Sequence, residues 1–137
     1  MKLNTNAILA LIGSILVIIG LFVPAVHGLV SDGINSNGHI TVLEMGDGFI
    51  FLIGGIIALL FSFINNLDRW VWIVGGLILI MGLLDLYSMA QYVNDIHSRG
   101  PMYKQFIYFQ SGMFIILIGA SMILISGLFI KKATSKC

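Results

Sequence analysis

The chain has 137 residues, of which 58% are hydrophobic and only 9% are charged, and its formal net charge is +1. Soluble domains usually carry about 25% charged residues, so this composition excludes a water-soluble domain. A net charge near zero also argues against a nucleic-acid partner, whose phosphates attract strongly basic surfaces.

Four apolar runs follow one another along the chain, and each predicts a membrane-spanning helix. About 20 apolar residues, rising about 1.5 Å each, cross a hydrocarbon core of about 30 Å, and backbone groups in lipid must pair within the segment. The predicted helices cover about residues 6–26, 46–64, 69–90 and 105–130, with outer loops at 27–45 and 91–104. We therefore predict a single all-α membrane domain over residues 1–137, folded as an antiparallel up-down-up-down four-helix transmembrane bundle.

The first run has a second interpretation as a cleaved signal peptide. Lys2 precedes the run, and Val23-Pro24-Ala25 resembles a small-residue cleavage site. The apolar stretch is longer than a usual signal-peptide core, so we favour a retained first helix.

The distribution of basic residues predicts the orientation in the cell membrane. Lys2, Arg69, Lys131, Lys132 and Lys136 belong to one side of the predicted bundle, and the other side holds the two remaining basic residues. Cytoplasmic segments are enriched in Lys and Arg. The richer side is therefore predicted to be cytoplasmic, together with both termini of this multi-pass protein.

Small residues recur at seven-residue intervals in all four runs. Such a repeat returns to nearly the same helix face, and small residues let membrane helices approach closely. Chance is the alternative, because the chain contains 16 glycines. Gly54 and Gly76 are predicted to serve a second interface, including one between copies of the chain. The members of the predicted packing seam are Gly13, Gly20, Gly48, Gly55, Ser62, Gly75, Gly82, Gly112, Gly119 and Ser126.

Asp85 is the candidate functional charge, because it interrupts the third apolar region. By the helical rise it lies about 22 Å from Trp70, close to the outer edge of the hydrocarbon core. An ionisable group at such a depth is costly and suggests a function. Asp85 would bind a cation or a proton, or pair with Arg99, Lys104 or His27. The alternative is a hydrated carboxylate at the level of the lipid headgroups.

Residues 35–44 resemble the later part of an EF-hand calcium loop. The first ligand position of that motif holds Gly33, and the carboxylate of Asp32 comes one residue early. In the alternative interpretation, Asn37-Gly38 is a turn beside a short hairpin strand at Ile40-Thr41-Val42. A weak calcium site in this loop would use Asp32, Asn35, Asn37 and Glu44.

The remaining polar residues give no confident metal, cofactor or catalytic site. Asp47 immediately precedes the second predicted helix and is predicted to cap it rather than to bind a ligand. His27, His39 and His97 are all predicted on the outer side, but no two share an i, i+4 spacing. We therefore predict surface histidines, no cofactor and no enzymatic activity.

Short motifs mark the ends of three predicted helices: Gly20-Leu21-Phe22-Val23-Pro24 ends the first, Gly46-Asp47-Gly48 opens the second, and Leu84-Asp85-Leu86-Tyr87 ends the third. In this pattern, over most of its length, the chain resembles a loose group of uncharacterised small prokaryotic four-transmembrane-helix proteins. The resemblance implies the same four-helix fold and no particular activity.

Two functions are compatible with these features. The first is a non-enzymatic tetraspan protein that acts as an interaction or accessory subunit in the lipid bilayer, self-associating or accompanying a membrane-protein partner. The alternative is a small channel or transporter with an outer vestibule near Asp85. A water-filled path needs polar lining, and the runs offer little beyond Ser14, Ser62, Ser121 and Ser126.

Overall fold

The computed structural model describes residues 5–27, 39–44, 47–64, 70–98, 108–109 and 111–134. These residues form four helices and three short strands, so the predicted, mainly helical fold with four helices is confirmed. The sheet was not predicted. The helices are α1 (Thr5–Phe22), α2 (Gly48–Phe63), α3 (Val71–Ser98) and α4 (Gly112–Thr134), and the strands are β1 (Pro24–His27), β2 (His39–Thr41) and β3 (Tyr108–Phe109).

Two of the helices are long and apolar enough to cross a membrane: α1 and the Val71–Asp95 part of α3. The apolar stretches of the other two helices, Gly48–Phe63 and Gly112–Leu128, are shorter. At about 1.5 Å per residue, the 16 residues of α2 extend about 24 Å, less than the hydrocarbon core of about 30 Å.

α1 ends at Phe22, before the predicted boundary near residue 26. Pro24 explains the earlier end, because proline cannot continue a helix and disfavours helical geometry at the residue before it. The chain then enters β1. Pro24 is the first residue of this strand and adjoins a β-bulge, a position where its missing N–H is tolerated.

α3 continues about two turns beyond the predicted end near residue 90 and ends at Ser98. Residues 91–98 contain neither glycine nor proline, and the first such breakers are Gly100 and Pro101. The hydroxyl of Ser98 donates to the backbone oxygen of Asp95 at 2.6 Å. The predicted outer loop at 91–104 is therefore helical in its first half.

α4 begins at Gly112, seven residues after the predicted start. The preceding residues Tyr108 and Phe109 form β3 instead of a helical turn. The backbone oxygen of Ser111 accepts a hydrogen bond from the N–H of Ile115 at 3.0 Å, which begins the helical pattern. Serine is a favoured residue immediately before a helix.

The three strands form one antiparallel sheet in the order β2-β1-β3. Val26 in β1 lies opposite Ile40 in β2 on one side and opposite Phe109 in β3 on the other. The predicted hairpin strand thus exists at Ile40 and Thr41, but its partner is β1, and Val42 already belongs to a 3-10 turn. We call the end of the helices that carries this sheet the sheet end.

Backbone contacts through glycine set the arrangement of the helices. A Cβ atom added to Gly13 would lie 2.7 Å from the Gly119 oxygen, and one added to Gly20 would lie 3.1 Å from the Gly112 oxygen. α1 and α4 are therefore antiparallel and in close contact. On its other side α4 meets α3, where a Cβ on Gly75 would lie 2.6 Å from the Leu124 nitrogen.

Two glycines join the sheet end to the helices. A Cβ atom on Gly112 would collide with the backbone oxygen of Val23, and one on Gly48 would collide with the backbone of Val42 and Leu43. The start of α4 is thus packed against the chain that enters β1. The start of α2 is packed against the 3-10 turn that follows β2, and this contact positions Asp47.

Candidate functional site

The candidate site is a pocket of about 340 Å³ at the sheet end. One wall comes from a single face of α3, where residues at positions i, i+3, i+4, i+7 and i+8 lie together because the helix repeats every 3.6 residues. The sheet and the start of α2 supply the remaining wall. The pocket is lined by Val26, Ile40, Asp47, Asp85, Ser88, Met89, Tyr92 and Val93.

Asp85 and Asp47 both line this pocket. Asp85 lies on α3 and Asp47 lies directly before α2, so two separate elements each bring a carboxyl group to one cavity. Asp85 is half-buried on α3, whereas Asp47 is exposed at the start of α2. Two carboxylates side by side repel each other unless a proton or another positive charge lies between them. The arrangement is therefore suited to receiving positive charge.

The predicted capping role of Asp47 is wrong. Asp47 occupies the N-cap position of α2, but its side chain makes no capping hydrogen bond. Its backbone oxygen accepts the first helical hydrogen bond, from Ile50 at 3.0 Å. The carboxyl group is thus left to the pocket, where it meets Asp85.

The sheet covers the pocket with an apolar pair. Val26 and Ile40 are cross-strand neighbours, and both line the cavity. Met89 and Val93, which are almost fully buried on α3, add further apolar surface. The pocket therefore combines two acidic groups with mostly apolar walls, a combination typical of small-molecule sites.

Hydroxyl groups inside the helices are already used for internal hydrogen bonds. Ser14, Ser62 and Ser126 are buried, and each donates to a backbone oxygen of its own helix at 2.7–2.8 Å. Ser121 does the same at 2.8 Å. The hydrogen-bond donors of these serines are therefore already used within their own helices, and the serines offer little polar lining for a water-filled path.

The candidate calcium ligands fall mostly outside the described residues, which include only Glu44. Its carboxylate accepts hydrogen bonds from the backbone nitrogen of Thr41 at 2.9 Å and from the Thr41 hydroxyl at 3.1 Å. This arrangement resembles a capping box, in which a glutamate reaches back to the residue that opens a helical turn. Within the described part of the chain, no group of three or more possible metal ligands occurs.

Two of the three histidines are brought together by the sheet. His27 and His39 lie directly opposite each other across β1 and β2. The two residues are 12 positions apart and share no helical i, i+4 spacing, so the sequence did not predict this relation. His97 lies near the end of α3 and is half-buried. Arg99 and Lys104, the other proposed partners of Asp85, lie outside the described residues.

All ten residues of the predicted packing seam are buried. Gly55 lies on the α1–α2 contact, where a Cβ would be 3.1 Å from the Ile18 side chain. Gly54 and Gly76 face neighbouring helices of the same chain, with a Cβ 3.0 Å from Ile78 and 3.6 Å from Leu124. Both glycines are partly buried, and the second interface predicted for them stays a prediction.

Several site residues were missed in the sequence. Ser88 and Met89 follow Asp85 at helical spacing within the predicted third helix, and Tyr92 and Val93 continue this spacing in the part of α3 beyond residue 90. No local pattern connects Asp85 with Asp47, which lies 38 residues earlier in the chain.

Comparison of the chain with protein families, curated proteins and solved structures finds no match.

Proposed function

We propose that this chain is a multi-pass membrane protein in which all four helices cross the bilayer as an up-down-up-down bundle, with both termini in the cytoplasm. The supporting observation is that every helix exposes large apolar side chains. On α2, for example, Phe49 is 66% exposed and Ile53 is 55% exposed. Soluble monomers rarely expose apolar patches larger than a few hundred Å², whereas lipid acyl chains cover such a surface readily.

Large exposed apolar side chains occur along the whole length of the helix exteriors. The inner faces of the helices combine small residues with large apolar side chains such as Phe51 and Ile116, so large apolar side chains lie on both the inside and the outside of the bundle. The exposed large apolar side chains include Ile8, Ile12, Ile15, Ile19, Phe49, Ile53, Ile56, Leu60, Leu77, Ile80, Leu84, Phe114, Ile118 and Ile125.

Within the membrane, the protein acts as a non-enzymatic interaction or accessory subunit that self-associates or binds another membrane protein. The hydroxyls of the four serines inside the helices donate to backbone oxygens of their own helices, so they are not available for catalysis or conduction. This observation supports a non-enzymatic role. Because the described interior is apolar and its serine hydroxyls are hydrogen-bonded internally, we expect the protein to act through contacts on the outer faces of its helices.

The outer face of α2 is the preferred contact surface. α2 buries only a narrow stripe, and its contact with α3 is the least extensive among the neighbouring helices. Large apolar side chains cover the rest of this helix. A helix from a second copy or from a partner would pack there through van der Waals contact, which drives helix association in lipid.

Cysteine cross-linking in native membranes tests this role. In a Cys137→Ser background, Ile53→Cys and Ile56→Cys on α2 are expected to form disulfide-linked dimers under mild oxidation. Ile15→Cys, which is 40% exposed on α1, is the matched control and is expected to stay monomeric. Purification in mild detergent would show a dimer or a co-purifying membrane protein. A strictly monomeric chain without a partner or a cross-link would contradict the proposal.

A second candidate function is a small channel or transporter with an outer vestibule at Asp85. The pocket between α3 and the sheet favours this alternative, because it gives the carboxyl group access to a cavity. Cation flux into proteoliposomes would be compared for the natural chain and Asp85→Asn. If the natural chain conducts cations and Asp85→Asn does not, the result supports the transport hypothesis. Zero flux in both proteins would rule this hypothesis out.

A further inference from the structure

We propose that the pocket at the sheet end binds a small organic cation with an apolar body, whose positive group lies between the carboxyls of Asp47 and Asp85. This inference goes beyond the accessory role. It shares its pocket with the transport alternative but requires only binding.

The pocket has a suitable size for such a ligand. Its volume of about 340 Å³ falls within the range of about 300–1,000 Å³ that is common for small-molecule sites. It is also much larger than a single dehydrated metal ion needs. The size therefore favours a molecule with several non-hydrogen atoms.

The two carboxyls supply the charge selectivity. Asp47 directly precedes α2 and Asp85 lies on α3, yet both line the same cavity. A monovalent cation between them would relieve their mutual repulsion and gain attraction to both. Asp47 is available for this role, because its side chain makes no capping hydrogen bond to α2.

The walls distinguish an organic cation from an inorganic one. Calcium takes six to eight oxygen ligands, whereas the polar side chains among the described lining residues are two carboxyls and the hydroxyls of Ser88 and Tyr92. A hydrated ion would gain nothing from the four aliphatic and thioether side chains that complete the lining. An apolar ligand body would bury itself against them, and the ring of Tyr92 adds a surface that attracts cations. The four apolar side chains are Val26, Ile40, Met89 and Val93.

The charge of the sheet end also favours a cationic ligand. Within the described residues, four acidic residues lie in the segments at this end and no lysine or arginine does. A negative field of this kind raises the local concentration of cations near the pocket. The acidic residues are Glu44, Asp47, Asp85 and Asp95.

Isothermal titration of the full chain in detergent micelles with benzyltrimethylammonium tests the proposal. This probe has a permanent positive charge and an apolar ring, and its uncharged isostere neopentylbenzene reports partition into the micelle. Saturable binding of the cation is expected. Asp47→Asn and Asp85→Asn should each weaken it at least tenfold, while the isostere shows no dependence on either substitution.

Asp95→Asn is the matched control. Asp95 is an exposed carboxylate on the same helix, does not line the pocket, and its substitution changes the net charge equally. Its effect on the dissociation constant should be less than twofold. Circular dichroism would verify that each variant is folded. Because Asp47 is exposed, its substitution is expected to disturb folding less than the substitution of Asp85.

Three results would overturn the inference: no saturable binding to the natural chain, binding to Asp85→Asn and Asp47→Asn that is as tight as binding to the natural chain, or binding of Ca²⁺ without binding of the organic cation. Flux into proteoliposomes is measured separately. Binding without flux would leave the inference intact and remove the transport alternative, and cross-linking through α2 would be unaffected by either outcome.

Discussion

Replacing Gly119 by alanine should weaken the contact between α1 and α4. The added Cβ would lie 2.6 Å from the backbone oxygen of Gly13 and 2.9 Å from the backbone nitrogen of Val17. Neither atom can rotate away, since both belong to the helix backbone. Ordinary van der Waals contact begins at 3.4 Å, so the two helices must separate by about 0.8 Å.

The expected cost follows from two opposing effects. Overpacking a tight contact costs about 1–3 kcal/mol, and a gap of about 0.5–1 Å forfeits a quarter to a half of the dispersion energy nearby. Alanine favours the helical state over glycine by up to about 1 kcal/mol. We therefore expect Gly119→Ala to lower the free energy of unfolding by about 1–2 kcal/mol.

Gly76→Ala is the matched control for this change. Its Cβ would meet only the Leu124 side chain, at an ordinary 3.6 Å, so the helix preference should dominate. We expect this variant to be unchanged or stabilised by up to about 1 kcal/mol. Equilibrium unfolding by SDS in mixed micelles, followed by tryptophan fluorescence, gives both values. Equal stability of the two variants, or a greater loss for Gly76→Ala, would refute the reasoning.

Two further predictions concern the sheet end and the orientation. Glu44→Ala removes both hydrogen bonds to Thr41, so the Thr41 amide should exchange faster and stability should fall by about 0.5–2 kcal/mol; unchanged exchange measured by mass spectrometry would contradict the capping role. In intact cells, Asn94→Cys in a Cys137→Ser background should react with a membrane-impermeant maleimide, whereas the natural Cys137 should react only after permeabilisation. Labelling of both from one side would disprove the proposed orientation.

Part of the candidate site could be predicted from local sequence. Asp85 was identified because a carboxyl group interrupts an apolar helix, and the residues that line the pocket beside it share its helical spacing. The role of Asp47 was predicted wrongly, because a carboxylate directly before a helix usually caps it. Its carboxyl group lines the same pocket as Asp85 on α3, a relation that no local rule identifies.

The sheet is a second feature that depends on contacts between distant segments and that local sequence does not predict. Pro24 predicts that α1 ends, but not that the next residues pair with two other segments. β3 lies more than 80 residues after β1, and only the close packing of α1 against α4 brings it within hydrogen-bonding distance. The opposition of His27 and His39 depends on the same pairing. Register between distant strands follows from how the helices are placed.

Sequence by itself determined the properties that depend on near neighbours along the chain. Apolar runs, glycine and serine at seven-residue spacing, and a proline stop specify four helices with small residues on one face, since helix geometry repeats every few residues. Tertiary structure alone decided that Asp47 meets Asp85 beneath Val26 and Ile40. That meeting depends on helix backbones approaching within a few ångströms, and such distances arise from packing between segments that are remote in sequence.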